Sequence, residues 1–372
     1  MILPSSLQLP ARVFSGEGSL SKLPAEAAGF GRRGVVVHGR ALCVGTVRGS
    51  FDAALAGAGV SAIFRRHSGE EPTIDQVEAL RAVIRESRAD WVIAVGGGSV
   101  MDLAKAAAGL ADAPESVAAY QAGAPIPPAR IPLLAAPTTA GTGSEATVVA
   151  VLTNPAKSLK QSIRHPSFMP RAIALDPALL RDCPGDVLAA SGMDAITQAF
   201  ESLTSAKATP FTRALSELSL VRLVAALPAA YRGDRSAGTL SDLLDGSFLA
   251  GLALSHTRLG VVHGLAHPLG ARWKIPHGKA CAICLPVALE FNRDAIAGDL
   301  ARVEGLLGRP FPRIVDDFIR EFGIVSPLKG VSPDAATREA IVRETLASGS
   351  TAANPRPVDA AAANALLDSL FD

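Results

Sequence analysis

Histidine side chains are concentrated in one short stretch of the sequence. Of seven histidines in 372 residues, three stand at positions 263, 267 and 277 of the run HGLAHPLGARWKIPHG. His263 and His267 are four residues apart, which rotates them by only about 40° around an α-helix and places them on one face. The segment PLGARWKIP that follows has the composition of a loop, and it would fold His277 back toward the other two imidazoles.

A carboxylate and an amide repeat this four-residue spacing earlier in the chain. Asp194 and Gln198 lie in the helix-like run GMDAITQAFE and would share one helix face. A carboxylate with two imidazoles is a common ligand set for Fe²⁺ or Zn²⁺, and a catalytic centre keeps one position open for substrate. Since a histidine on an apolar helix face is more often a hydrogen-bonded core residue, spacing alone favours a metal site and a buried polar cluster equally.

The cysteines do not form a pattern that predicts disulfide bonds or a redox centre. Four cysteines in 372 residues are too few for a disulfide framework, which indicates a reducing compartment. Cys281 and Cys284 lie in the apolar run ACAICLPVAL, without a second cysteine pair. We therefore predict that both side chains pack in a hydrophobic core.

Three adjacent glycines follow a strand-like segment. Gly96, Gly97, Gly98 and Ser99 come directly after WVIAV and before the helix-like run MDLAKAAAGL. A glycine turn into a helix N-terminus lets backbone N–H groups approach phosphate oxygens, and the helix dipole favours their negative charge. The spacing is neither G-x-G-x-x-G nor a Walker loop, so the motif alone favours a nucleotide phosphate and a plain tight turn equally.

A second polar loop follows the next strand-like segment. PTTAGTGSE, at residues 137–145, brings the hydroxyls of Thr138, Thr139 and Thr142 to the carboxyl end of that strand. Ligands of open α/β sheets bind at this edge, so two such loops together favour a dinucleotide. For Asp102, in the helix after the glycines, we predict a structural role.

The first half of the chain alternates strand-like with helix-like segments, and the second half is helical throughout. The strand-like runs are GVVVH (34–38), AIFR (62–65), WVIAV (91–95) and IPLLAA (131–136), with the helix-like IDQVEALRAVIRESR between the second and the third. This alternation predicts an α/β dinucleotide-binding domain with a doubly wound, mostly parallel sheet over residues 1–182. The Ala- and Leu-rich remainder predicts an all-α domain over 183–372 that carries the metal-binding and catalytic residues, with the boundary at the CPGD segment.

Composition excludes several classes of function. The chain is 48% hydrophobic and 19% charged with a net charge of +1, which allows a large core and gives no electrostatic reason to bind nucleic acid or an acidic membrane. Histidines and arginine interrupt the apolar segments around residues 256–267, and the first residues lack the pattern of a secretory signal. We expect a cytoplasmic protein that acts on a small molecule.

These motifs together resemble the iron-containing (group III) alcohol dehydrogenase family. The resemblance rests on GEEPTIDQVEALR, GGGSVMDLAKA, PTTAGTGSEAT, LDP at 175–177, GMDAITQAFES and HGLAHPLGARWKIPHG, in that order. It implies NAD(P)-dependent hydride transfer between an alcohol and an aldehyde or ketone. It also implies an active site in the cleft between the two domains, and a homodimer or higher homo-oligomer.

The resemblance also implies roles for individual residues. Cofactor contacts fall on Gly97, Gly98, Ser99, Thr138, Thr139, Thr142 and Lys160, and metal ligands on Asp194, position 198, His263 and His277. Position 198 is histidine in metal-dependent members but glutamine here, and an amide oxygen is a weaker ligand than an imidazole. Either three residues hold Fe²⁺ or Zn²⁺, with Gln198 or water as a fourth ligand, or the enzyme works without metal as an oxo-acid reductase similar to the maleylacetate reductases.

The segment His38-Gly39-Arg40 bears on the choice of cofactor. It stands where NAD-preferring members of the family carry an aspartate after the first strand. Without that carboxylate nothing repels a 2′-phosphate on the ribose, and a nearby arginine would attract it. We therefore predict that Gly39 and Arg40 contact the cofactor and that NADP is accepted.

Two more residues are candidates for the chemistry itself. His267, on the helix face of His263, is predicted to relay a proton. Arg258 precedes His263 in SHTRLGVVHG, and a charge on a buried helix is costly unless it is paired. Arg258 therefore pairs with a structural carboxylate, points outward, or binds an anionic group of the substrate.

Two other functions are compatible with parts of the sequence. The dehydroquinate synthase-like lyases resemble the chain in expected fold, but they lack its PTTAGTGSE and HGxxH motifs. A binding or regulatory protein that has lost activity would carry its lesion at Gln198.

Overall fold

The computed structural model describes residues 1–43, 45–157 and 159–372. The chain forms two compact units. The first consists of Gln8–Cys183 with Arg235–Leu244, and the second of Met1–Leu7, Pro184–Asp234 and Asp245–Asp372. The sequence-based domains, 1–182 and 183–372, remain a prediction.

The first unit contains a six-stranded sheet in which all pairings are parallel, in the order β1-β8-β5-β4-β2-β3. A separate antiparallel hairpin is formed by β6 and β7. The strands are β1 (Arg12–Ser15), β2 (Arg33–His38), β3 (Ser61–Arg66), β4 (Trp91–Gly96), β5 (Leu133–Pro137), β6 (Val149–Asn154), β7 (Leu159–Arg164) and β8 (Ala172–Leu175).

Burial explains the strands at the centre of the sheet. Every residue of β4 is buried, and β4 pairs with β2 on one side and with β5 on the other. A parallel strand covered on both faces requires an unbroken apolar run, which WVIAV provides. The helices of this unit are α1 (Leu23–Ala28), α2 (Thr46–Gly57), α3 (Ile74–Glu86), α4 (Gly98–Gly109) and α5 (Val117–Gln121).

The rest of the chain is helical in its regular structure. The helices are α6 (Gly185–Thr204), α7 (Pro210–Tyr231), α8 (Ala237–Thr257), α9 (Val261–Trp273), α10 (His277–Asn292), α11 (Ala297–Leu307), α12 (Phe311–Glu321), α13 (Ala335–Ala347) and α14 (Ala360–Phe371). The predicted fold class, an α/β part with a mostly parallel sheet followed by an all-α part, is confirmed.

The segment PLGARWKIP is not the loop that its composition predicts. Helix α9 continues through Pro268 to Trp273, and Lys274, with φ 53°, caps it in the left-handed conformation. Pro268 and Leu269 are buried, so burial of this face outweighs the helix-breaking tendency of proline. A short turn therefore separates α9 from His277, which is the first residue of α10.

One helix of the described residues, α7, is long and apolar enough to cross a membrane by length and composition alone. This is weak evidence for a membrane segment, because core helices of water-soluble proteins have the same property. The prediction that the protein has no membrane partner remains a prediction.

A buried polar network connects the loop PTTAGTGSE at residues 137–145, the threonine loop, to α4. The Lys105 ammonium donates hydrogen bonds to Ser144 Oγ at 2.8 Å, Thr147 Oγ1 at 2.9 Å and the Val149 carbonyl at 2.9 Å. Asp102, one turn earlier on α4, accepts a hydrogen bond from Ser144 Oγ at 2.6 Å. Asp102 thus helps to hold the fold together.

Burial changes the ionisation of this network. It raises the pKa of Glu145 to about 7, and it lowers the pKa of Lys105 to about 8 although Asp102 and Glu145 oppose that shift. An unfolded chain would ionise Glu145 near its ordinary value of 4.5. Between pH 4.5 and pH 7, Glu145 is largely ionised in the unfolded state but protonated in the folded state. The unfolded state therefore binds fewer protons, so the stability of the fold decreases as the pH rises.

We predict that Glu145→Gln removes this pH dependence, because an amide does not ionise. As the pH rises from 4.5 to 7, the free energy of unfolding of the wild type should fall relative to the variant by up to about 3 kcal/mol. Urea denaturation at several pH values measures the difference. Glu86→Gln, at the exposed end of α3, is the control and should follow the wild type. Parallel pH profiles for the wild type and Glu145→Gln would contradict the prediction.

Candidate active site

One face of α6 carries three buried polar side chains. Asp194, Gln198 and Glu201 follow one another at four and three residues, the spacing that aligns side chains along a helix. Asp194 is 2% exposed, Gln198 4% and Glu201 5%. Two carboxylates buried this deeply require cationic or hydrogen-bonding partners, which helices α9 and α10 provide.

His263, on α9, lies between the two carboxylates. Its Nδ1 is 2.6 Å from Glu201 Oε2, and its Nε2 is 3.2 Å from Asp194 Oδ1. Glu201 also accepts the backbone N–H of Val262 at 2.7 Å. Because a carboxylate accepts, Nδ1 carries the hydrogen of the first contact and Nε2 is directed at Asp194. Metal-binding histidines are oriented by a carboxylate in the same way.

Helix α10 completes the cluster with an imidazole and a thiol. His277 and Cys281 are four residues apart, and His277 Nε2 lies 3.7 Å from Cys281 Sγ and 3.7 Å from Asp194 Oδ1. Cys281 Sγ is also 3.6 Å from His263 Nε2. One donor atom from each of Asp194, His263, His277 and Cys281 lies within 4.8 Å of all the others. We call these four residues the donor cluster.

The position of Cys281 corrects the expectation of simple core packing. Cys284 is buried as predicted, and its burial raises the pKa of its thiol well above the ordinary value. Cys281 is also buried, but its sulfur contacts two imidazoles. The spacing that matters is not the CxxC spacing of Cys281 and Cys284. It is the four-residue helical spacing from His277 to Cys281.

Charge in the donor cluster is strongly coupled. Burial alone would lower the pKa of His263, but Cys281, Asp194 and Glu201 together raise it well above its ordinary value. Burial alone would raise the pKa of Cys281, but His263 and His277 lower it. The cluster therefore brings together carboxylate oxygen, thiol sulfur and imidazole nitrogen, which are donor types that bind divalent transition metals once deprotonated.

Gln198 does not simply replace a metal-binding histidine. Its side chain is close enough to Asp194 to help lower the pKa of that carboxyl group. Its Oε1 is buried without a hydrogen-bond partner among the described residues. An orphaned acceptor beside carboxylate, imidazole and thiol groups fits a site that receives a cation or a hydrogen-bonding ligand. The residues of the donor cluster thus fit a divalent metal ion.

His267 lies beside the donor cluster and is exposed to solvent. Its ring stacks on that of His277, with centroids 5.1 Å apart and an interplanar angle of 12°. The centroid distance from His267 to His263 is 6.3 Å, in agreement with the predicted common helix face. His267 therefore continues the row of imidazoles from the buried His263 and the partly exposed His277 to solvent.

Arg258 is not on a buried helix, which corrects the premise of its sequence-based interpretation. Helix α8 ends at Thr257, and Arg258 is exposed with a left-handed φ of 62°. Its guanidinium occupies the space beside Gly349, where a Cβ at Gly349 would approach Nη1 to 2.3 Å. The turn after α8 places this charge at the surface, so no buried partner is required.

The two loops predicted to bind the cofactor pack against each other in the sheet-containing unit. A Cβ on Gly98 would lie 2.7 Å from Thr142 Cγ2, and one on Gly97 would lie 3.2 Å from Thr139 Oγ1. Glycine is therefore needed at residue 98 for the loops to meet. No side chain caps the N-terminus of α4, so its first N–H groups can receive an anion.

The remaining predicted cofactor contacts surround these loops. Thr138 N–H donates to the Gly96 carbonyl at 3.0 Å, and Ser99 Oγ donates to the Gly69 carbonyl at 3.4 Å. Lys160, on β7, forms an ion pair with Glu71 at 2.6 Å. Gly39 and the exposed Arg40 follow β2 at the carboxyl edge of the sheet.

The chain combines two features. A parallel sheet with two glycine- and threonine-rich loops at its carboxyl edge is typical of nucleotide-binding enzymes. A largely buried Asp–His–His–Cys cluster is typical of a metal centre. Comparison with protein families gives two matches: iron-containing alcohol dehydrogenase over residues 10–177, and the C-terminal region of the Fe-containing alcohol dehydrogenase family over residues 188–371.

Individual relatives agree with this result. The chain is 38% identical to the probable alcohol dehydrogenase EutG of Escherichia coli K12 over 292 residues, which are 77% of this chain and 74% of the relative. It is 30% identical to the 1-propanol dehydrogenase PduQ of Salmonella typhimurium LT2, over 99% of this chain and 100% of the relative. The structure of sulfoacetaldehyde reductase from Bifidobacterium kashiwanohense, in complex with NAD⁺, superposes with a TM-score of 0.88 at 27% identity, covering 98% of each chain.

The chain belongs to the iron-containing alcohol dehydrogenase family. It is an NAD(P)-dependent oxidoreductase that interconverts alcohols with aldehydes or ketones. The lyase and the inactive binding protein are therefore not needed to explain the sequence.

We predict that Glu201→Gln weakens Zn²⁺ binding by about 10- to 100-fold, the usual effect of removing a carboxylate that orients a metal-binding histidine. Competition with a chromophoric chelator measures the affinity. Glu290→Gln, on the exposed part of α10, is the matched control and should bind as the wild type does. Equal affinities for Glu201→Gln and the control would show that Glu201 does not orient His263 for a metal.

Proposed function

We propose that the protein is a metal-dependent alcohol dehydrogenase and carbonyl reductase whose metal is held by Asp194, His263 and His277. The observation that carries the proposal is the convergence of these three side chains from α6, α9 and α10. In sequence they are separated by 69 and 14 positions, yet Asp194 Oδ1 lies 3.2 Å from one imidazole nitrogen and 3.7 Å from the other.

The metal, the nicotinamide cofactor, Glu201 and His267 each have a distinct role in the proposed reaction. When bound, the metal polarises the substrate oxygen and the nicotinamide accepts or supplies the hydride. Glu201 holds the ring of His263 through Nδ1, so that Nε2 is directed into the donor cluster. His267, stacked on His277 and exposed, exchanges the proton of the substrate oxygen with solvent.

For the cofactor we propose contacts to the two packed loops, through Gly97, Gly98, Ser99, Thr138, Thr139, Thr142 and Lys160. The uncapped N-terminus of α4 supports a pyrophosphate there. We further propose that NADP is preferred to NAD. Arg40 is exposed directly after β2, and the neighbouring strand β3 brings Arg66 level with His38, so positive charge surrounds this point of the edge.

Gly39→Asp should shift the preference from NADPH to NADH. The backbone of Gly39, with φ −90°, accepts any residue, and a Cβ there meets its nearest atom only at 3.6 Å. The added carboxylate would repel a 2′-phosphate and bind a ribose hydroxyl. We expect kcat/KM for NADPH to fall by about 10-fold or more, while that for NADH stays or rises, which is a cost of at least about 1.4 kcal/mol.

Gly39→Ala is the control for added volume, and both cofactors are measured by steady-state kinetics with one aldehyde. An unchanged NADPH to NADH ratio in Gly39→Asp would contradict the proposed position of the 2′-phosphate. A wild-type enzyme that uses NADH as well as NADPH would contradict the proposed preference.

We propose that the substrate is a small alcohol or aldehyde with an anionic group bound by Arg258. The guanidinium is exposed, and no carboxylate pairs with it among the described residues. The structurally similar sulfoacetaldehyde reductase is named for an anionic aldehyde. Likeness to that enzyme supports an acidic substrate without identifying it.

Arg258→Met should raise the KM for an anionic aldehyde by about 10-fold or more and leave the KM for butanal nearly unchanged, because a charge-assisted hydrogen bond contributes roughly 1.5 to 3 kcal/mol. Steady-state kinetics with succinic semialdehyde and butanal measure the two effects. Equal increases for both aldehydes would show that Arg258 acts on the fold rather than on the anionic group.

A second candidate is a metal-independent reductase of an oxo-acid, similar to the maleylacetate reductases. The observation that favours it is Gln198, which places an amide beside Asp194 where an imidazole would be a stronger metal ligand. In this alternative the imidazoles of His263, His267 and His277 polarise the carbonyl by themselves. An activated carbonyl would then be reduced more readily than a simple alcohol is oxidised.

A carbonyl panel with NADPH and NADH separates the two candidates. We expect turnover with aldehydes that is lost after chelation and restored by Fe²⁺ or Zn²⁺. Turnover of oxo-acids that survives complete metal removal would favour the metal-independent enzyme.

Finally, we propose that the enzyme acts in the cytoplasm and that it forms a homodimer or higher homo-oligomer. Sedimentation analysis would test the oligomeric state.

A further inference from the structure

We propose that the sulfur of Cys281 is a protein ligand of the metal, in the role that an imidazole at position 198 would otherwise fill. This inference rests on the proposed metal-dependent function. It concerns the ligand set only, so it can fail while the metal site itself is retained.

Four of the six donor–donor distances in the donor cluster are close to the edges of a coordination tetrahedron, and all six are within 4.8 Å. Ligand bonds of about 2.0–2.1 Å to nitrogen or oxygen and about 2.3 Å to sulfur imply ligand–ligand edges of about 3.3 to 3.6 Å. Cys281 Sγ lies 3.6 Å from His263 Nε2 and 3.7 Å from His277 Nε2. Asp194 Oδ1 lies 3.2 and 3.7 Å from the same two nitrogens. An ion at the centre of this group would reach the sulfur as directly as the other three donors.

Packing fixes the sulfur in this position. Cys281 is fully buried, and it stands one helical turn after His277, so both side chains project from one face of α10. A Cβ on Gly278 would lie only 1.9 Å from the backbone carbonyl of Ala190, so glycine there permits the close approach of α10 to α6. That approach brings the sulfur beside Asp194.

Helix α6 offers only a weak fourth donor. Gln198 Oε1 is buried without a hydrogen-bond partner among the described residues, but an amide oxygen binds a transition metal weakly. A thiolate binds more strongly and is softer, which shifts the preference of the site toward Zn²⁺. If four protein donors hold the metal, the substrate oxygen would bind as a fifth ligand, an expansion of which catalytic zinc is capable.

Cobalt spectroscopy tests the sulfur directly. The full-length protein is stripped of metal by chelation, kept reduced with a phosphine, and titrated with Co²⁺. We expect one Co²⁺ per chain, visible ligand-field bands, and a near-ultraviolet sulfur-to-cobalt charge-transfer band. Cys281→Ser should lose the charge-transfer band and weaken metal binding by about 100-fold or more, since even an indirect partner contributes about 10- to 100-fold.

Two further variants serve as controls. Cys284→Ser removes the other buried thiol of α10 and should retain the charge-transfer band. Gln198→His in the Cys281→Ser background should restore binding of Co²⁺, because it returns an imidazole to α6, but without the charge-transfer band.

The outcomes separate the two levels of the proposal. Ligand-field bands without a charge-transfer band in the wild type would overturn the assignment of Cys281 and leave the metal site in place. A band that persists in Cys281→Ser would also overturn it. A wild type that binds no Co²⁺ or Zn²⁺ yet reduces carbonyls would overturn the metal-dependent function and this inference together.

Discussion

The burial of two carboxylates on one face of α6 sets the requirements for the whole helical unit. Asp194 and Glu201 are 2% and 5% exposed, and an unpaired buried carboxylate would cost several kcal/mol. His263 satisfies both through its two ring nitrogens, which fixes the position of α9. His277 and Cys281 add the remaining partners from α10. The same contacts that satisfy the buried charge create a set of donors with the dimensions of a metal site.

In the sheet-containing unit, the main structural requirement is the placement of two loops. The two central strands of the unit, β4 and β5, are followed by loops of glycine and threonine, and glycine at residue 98 lets these loops pack closely. Hydrogen bonds from the Lys105 side chain, on α4, then hold the end of the threonine loop in place. The loops can offer N–H groups to a phosphate because the fold, rather than the ligand, determines their shape.

The sequence predicts those features that a local period encodes. Strands β2, β4 and β5 are predictable because buried parallel strands are unbroken apolar runs, whereas the short β1, with three of four residues exposed, has no such run. The run AIFR predicts a buried strand, but β3 lies at the edge of the sheet and none of its residues is buried. Asp194, Gln198, His263 and His267 were found through four-residue spacing within single helices. Cys281 is four residues after His277, and Glu201 is three residues after Gln198, so helical spacing could have found both. The extent of α9 could not, since proline and glycine usually signal a loop and only tertiary burial overrides them.

Features that depend on contacts between helices were beyond the sequence. The CxxC spacing predicts core packing for both thiols. The four-residue spacing from His277 marks Cys281 rather than Cys284, but the approach of the neighbouring helices is what brings other donor atoms to its sulfur. Arg258 was considered on the premise of a buried helix, but α8 ends one residue before it. In both cases the decisive fact is the direction of a side chain relative to a neighbouring element.

The most direct test of the account is the anomalous diffraction of crystals of the zinc-loaded protein at the zinc absorption edge. The account predicts one strong peak per chain, equidistant within coordinate error from Asp194, His263 and His277 and at about 2.3 Å from the sulfur of Cys281. A peak elsewhere, or a donor cluster without metal in an enzyme that is active in the crystal, would contradict it.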